Sequence, residues 1–121
     1  PKTPKPRRLA NNLIFMSENI PEKDFLELSE KELIRLADNI ENNDKNSLFD
    51  VEYADGILNI EIFASNQIYV INKHSASQKI WFSSPVSGAN YFAISNEKWL
   101  DDKGRELQEI LLNELKTNFN F

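Results

Sequence analysis

INKHSASQKIWFSSPVSG, residues 71 to 88, contains the strand on which the fold turns. Successive side chains of a strand face opposite sides, so Ile80 and Phe82 of KIWFS point one way while Lys79, Trp81 and Ser83 point the other. The first face is a core face. The second carries a large aromatic between a lysine and a serine, on the side that meets water. The pattern is that of a half-covered sheet, and it leaves Trp81 to be explained.

The flanking sequence supplies the rest of such a sheet. LFDVEY, ILNIEIF, QIYVINK, KIWFS, a shorter NYFAI and EKW read as strands, separated by turn-forming Asp55-Gly56, Ser65-Asn66, HSAS, SPVSG and Ser95-Asn96. Links this short imply an antiparallel meander. In ILNIEIF, Leu58, Ile60 and Ile62 face inward while Asn59 and Glu61 face water, the alternation of a sheet covered on one side. Upstream, Pro21 opens EKDFLELSEKELIRLADNIENN, where Phe25, Leu28, Leu33, Leu36 and Ile40 recur near one helical face, with Ser29 and Ala37 on the same side. Downstream, RELQEILLNELKTNF repeats Leu107, Ile110, Leu111, Glu114 and Leu115 at helical spacing, which predicts a second helix beginning near Gly104. The expected fold is α+β, a two-layer sandwich with both helices on one face of the sheet.

Composition sets the bounds. The 121 residues suit one core, expected over 21–121, after a basic, Pro-punctuated tail over 1–20 that opens PKTPKPRR. There is no cysteine, which excludes disulfides, thiolate metal sites and a cysteine nucleophile. No apolar run approaches the roughly 20 residues of a membrane span. Three glycines and one histidine leave neither a phosphate-cradling loop nor a Ser-His-Asp arrangement readable. The net charge of −5 is segregated: Glu18 to Asp55 holds 12 acids against 4 bases, while Ile62 to Asn96 holds no acid at all.

Three features have two readings each. Trp81 is either a solvent-side aromatic covering its neighbours or an anchor for a partner. His74, beside a turn, is an ordinary surface residue or a ligand. Glu27, Glu30, Asp38 and Glu41 on the first helix, Asp44 at its end, and Asp50, Glu52 and Asp55 on or beside the first strand form either a solvated acidic face or a ridge for a hard cation. An exposed aromatic sheet with a basic tail also fits a single-stranded nucleic-acid or general protein-interaction module, although the charge of −9 beyond PKTPKPRR opposes a polyanion.

YVINKHSASQKIWFSSPVSG, with the acidic helix before it and KWLDDKGRELQEILLNEL after it, resembles the frataxin family, whose hallmark is a Y-V-I-N-K, I-W-L-S-S-P-x-S-G pairing on adjacent strands. The resemblance covers about Phe25 to Leu115. It implies two near-parallel helices on a five- to seven-stranded antiparallel sheet. It also implies an iron-binding role in iron-sulfur cluster assembly, with activation of the cysteine desulfurase and scaffold complex and room for a ferroxidase activity. The implied partner surface is Asn72, Lys79 and Trp81, and the implied iron region is the acidic ridge, binding Fe2+ or Fe3+ weakly. Relatives often carry glutamine where His74 and Lys79 stand, and Lys31 and Arg35 interrupt the ridge. A monomer, with oligomers driven by iron as a further state, is expected, without nucleic-acid or membrane partners. The basic segment ahead of the first helix favours the mitochondrial matrix over a bacterial cytoplasm.

Overall fold

Residues 20 to 121 are described by a computed structural model, so the expected tail lies outside them apart from Ile20. Helix α1 spans Glu22–Asn43, with Glu22 and Asp24 in its first turn, where the positive end of the helix dipole favours acids. Its covered stripe is Phe25, Ser29, Leu33, Leu36, Ala37 and Ile40. Leu28 does not belong to it: at 100° per residue it lies about 110° from the centre of that stripe, and it is exposed. Glu32 is buried at the stripe's margin instead, with its carboxylate 2.7 Å from Arg35 Nη2. When its amide oxygen faces α1, Gln108 of the second helix accepts two further bonds from Arg35, at 3.0 and 2.7 Å.

Six antiparallel strands follow in simple meander order: β1 (Phe49–Ala54), β2 (Ile57–Ile62), β3 (Gln67–His74), β4 (Lys79–Ser84), β5 (Gly88–Ser95) and β6 (Lys98–Leu100). The β1–β2 and β5–β6 hairpins turn on two residues each, Asp55-Gly56 and Asn96-Glu97, all four at positive φ. Positive φ at both central residues defines the turn whose twist matches paired strands. At Gly56 it is this positive φ that favours glycine, since a Cβ there would sit 2.8 Å from Lys73 Cε, near the free end of a flexible side chain that can move aside. β5 is longer than its apolar core suggested, since Gly88 and Ala89 pair with Ser84 and Ser83 before the hydrophobic residues begin.

Helix α2 spans Leu107–Phe119 and starts three residues after Gly104. Asp101 explains the delay. This buried carboxylate accepts bonds from the Lys103 and Arg105 backbone N–H groups, Arg105 Nε and Asn90 Nδ2, holding 101–105 as a loop. Burial alone would raise its pKa, but these donors together bring it below the usual aspartate value. The two helices run side by side in one direction: Arg35 reaches Gln108 near the start of α2, and Asn43 lines the same cavity as Lys116 and Asn120.

One core lies between helices and sheet. It takes Leu58, Ile60, Tyr69, Ile71, Ile80, Phe82, Phe92 and Trp99 from the strands and Leu107, Leu111 and Leu115 from α2. Within it stands a carboxylate that apolar periodicity does not explain. Glu114 accepts bonds from Tyr69 Oη at 2.9 Å and Ser84 Oγ at 2.6 Å on one oxygen, and from Ser87 Oγ at 2.5 Å on the other. Ser84 Oγ in turn accepts the Val86 and Ser87 N–H groups, so the SSPVS turn is closed by its own serine and fastened to α2. Burial first, and then the bond and charge of Glu114, push the Tyr69 hydroxyl well above the usual tyrosine value.

Candidate functional site

The uncovered side of the sheet is set by strand register. Ile57, Asn72, Trp81 and Tyr91 are successive cross-strand partners on β2, β3, β4 and β5, and so form one row across the outer face. Trp81 is 37% exposed although its neighbours grip it from two sides. The His74 ring stacks on it with centroids 3.9 Å apart and planes 14° from parallel. Tyr91 meets it edge-on at 5.5 Å. Lys79 pairs with His74 across β3 and β4, which places a cation beside the three rings. Asn72, Lys79 and Trp81 thus lie on adjacent strands of one patch. His74 and Tyr91 complete it; the sequence singles out His74 as a surface residue or a ligand, without its place beside Trp81, and does not single out Tyr91. His74 and Lys79 are partners only because the turn of 75–78 sets that register, and Tyr91 joins through the β4–β5 pairing.

Charge divides this face. The outer sides of β3, β4 and β5 carry no carboxylate, whereas Asp50 and Glu52 on β1 and Glu61 on β2 occupy the opposite margin, with Asp50 directly paired to Glu61. Like charges so placed repel each other and favour a cation.

The acidic ridge is less uniform than its sequence. Glu27, Asp38, Glu41, Asp50, Glu52 and Asp55 are exposed, Asp55 at the tip of the β1–β2 turn. Glu30 lies 3.5 Å from Lys73 Nζ, so a cation already attends it. Its charge also adds to the burial that raises the Tyr53 pKa. Asp44 has a folding role: its two oxygens accept the Leu48 and Phe49 N–H groups at 2.8 and 3.0 Å, closing the link from α1 to β1. Among the described residues no three His, Asp or Glu side chains converge as a metal-holding group. The ridge is therefore an open field of carboxylates, without a built cage.

Two parallel helices on one face of a six-stranded meander, with the other face aromatic and uncovered among the described residues, define a two-layer α+β sandwich of known type. A frataxin from Psychromonas ingrahamii has the same fold, with a TM-score of 0.71 over 82% of this chain and 92% of that one at 19% identity. Residues 18–121 match the family model described as a frataxin-like domain. The chain is 33% identical over 102 residues to the mitochondrial frataxin homolog of Saccharomyces cerevisiae, covering 81% of this chain and 58% of that protein. It is 32% identical over 113 residues to mitochondrial frataxin of Caenorhabditis elegans, covering 87% and 83%. The chain belongs to the frataxin family. A structure of trimeric yeast frataxin, described as complexed with ferrous iron, aligns with a TM-score of 0.68 at 28% identity, over 89% of this chain and 94% of that one.

Proposed function

We propose that this protein handles iron for iron-sulfur cluster assembly, docking on the cysteine desulfurase and scaffold complex through the outer face of its sheet and thereby stimulating the desulfurase. The observation that carries the reading is Trp81, exposed on the outer sheet face and flanked by Asn72 on the adjacent strand and Lys79 on its own. A large aromatic, partly desolvated and aimed outward, is the residue type that dominates protein interfaces. Family membership supplies the class of partner.

Iron is cargo in this reading. Glu27, Asp38, Glu41, Asp50, Glu52 and Asp55 are the carboxylates offered to it, with Glu30 and Asp44 contributing less because Lys73 and the β1 backbone occupy them. Hard oxygen ligands in twos, completed by water, hold ferrous iron weakly enough to release it. The comparison with an iron-complexed yeast frataxin supports this assignment. The mitochondrial matrix is the proposed setting, because both curated relatives are named as mitochondrial. The test is cysteine desulfurase turnover on the scaffold, with and without the protein. Stimulation that disappears with Trp81→Ala is expected, and no stimulation by the unaltered protein refutes the reading.

A further inference from the structure

The pose of Trp81 is not left to chance. An indole on a bare sheet face has several rotamers open to it, and a partner that needs one of them must freeze it on binding. Here the His74 ring covers one side of the indole at 3.9 Å and Tyr91 abuts it edge-on. His74 is itself fixed, with Nδ1 2.8 Å from Ser77 Oγ in the β3–β4 turn. That turn is tied down at Gln78, whose side-chain amide exchanges two bonds with the Ile20 backbone at 3.1 and 2.6 Å.

We propose that His74 is a positioning residue that holds the Trp81 indole in its docking pose, an inference that rests on the docking function given to the outer sheet face. The ring does this in either charge state. When neutral with its proton on Nε2, it accepts the Ser77 hydroxyl proton at Nδ1; when protonated, Nδ1–H donates to Ser77 Oγ, and the roles reverse without breaking the contact. Protonation also turns the stack into a cation–π pair. The charged and titratable groups around the ring are Lys79 across the strand pair, Tyr91 beyond Trp81 on β5, and Asp55 in the adjoining β1–β2 turn. Lys73, next in sequence, is turned toward Glu30. Asp55 makes no ion pair with the ring, so Lys79 is the cation set against the imidazolium.

The chain has one histidine, so its imidazole proton resonances can be assigned without ambiguity. In the free protein they should lie upfield of a solvated histidine, under the indole ring current, and should return to ordinary positions in Trp81→Ala. In calorimetric titration against the desulfurase and scaffold complex, His74→Ala should weaken binding about two- to ten-fold, the cost of ordering one side chain. His74→Phe, which keeps a flat ring over the indole, should restore the affinity, and thermal melts should match across these variants. Unshifted imidazole resonances, or His74→Ala binding at full affinity while Trp81→Ala does not, would overturn the positioning role alone. Full affinity in Trp81→Ala would overturn the docking reading and this inference with it.

Discussion

Glu114 offers a test of the fold at a single atom pair. Glu114→Ala removes the acceptor for the Tyr69 hydroxyl, whose residue is fully buried, and for Ser84, which is 7% exposed. A buried donor left unpaired costs about 1–3 kcal/mol. Relief of the desolvation that a buried carboxylate suffers offsets part of two such losses. The net expectation is a loss of about 3 kcal/mol, which for a domain of this size lowers Tm by roughly 10–15 °C. Glu114→Gln should behave differently, because its amide oxygen can still accept from Tyr69 and Ser84. Only Ser87 loses its acceptor, and Ser87 is exposed and can turn to water. About 1 kcal/mol or less is then lost, a fall of under roughly 5 °C. Far-UV circular dichroism melts and urea unfolding of both variants give the comparison. A glutamine variant that falls as far as the alanine variant would refute the reasoning, since charge and not acceptor geometry would then be decisive.

Other expectations rest on separate features. Trp99 is 2% exposed and meets Phe25 edge-on at 5.9 Å, so Trp99→Ala should cost roughly 3–5 kcal/mol in urea unfolding. The raised Tyr69 pKa contributes stability that is complete below the unfolded-state value near 10 and is lost as pH rises beyond it. Alkaline melts should therefore steepen above about pH 10 in the wild type and less so in Tyr69→Phe. Asp101 has the opposite sign: its lowered pKa contributes stability above the usual aspartate range that fades as pH falls through its folded value. The stability gap between wild type and Asp101→Asn should accordingly narrow in melts taken below about pH 4. Ferrous iron should broaden amide resonances beside Glu27, Asp38, Asp50 and Glu52 before those of β4 and β5, and Asp38→Lys should reduce the effect; uniform broadening would count against the ridge.

Local pattern carried most of the architecture. Pro21 and the apolar repeat placed α1 at its observed bounds, and two-residue alternation told the core face of β2 and β4 from the bare one. What it missed were contacts between residues far apart in the chain. Glu114 sits where helical spacing expects an apolar residue, and its burial makes sense only once Tyr69 and Ser84, 45 and 30 positions away, bring their hydroxyls to it. Leu28 was misplaced because spacings of three to five admit a residue well off the stripe's centre, a difference that only packing resolves. Within the ridge, composition could not tell exposed carboxylates from Asp44, which closes a turn, or Glu30, which faces a lysine from β3. His74 looked like an ordinary surface residue because its partner is chosen by strand register, and the sequence does not display register directly.

The central claim is that the bare sheet face docks through Trp81. Its most direct test is the affinity of Trp81→Ala for the desulfurase and scaffold complex, read by calorimetry beside a thermal melt of the free variant. Loss of an interface anchor predicts a drop of about 2 kcal/mol or more, roughly 30-fold in Kd. The free protein should lose about 1 kcal/mol or less, since the removed contacts are those with two surface rings. Wild-type affinity in a folded Trp81→Ala protein would contradict the account.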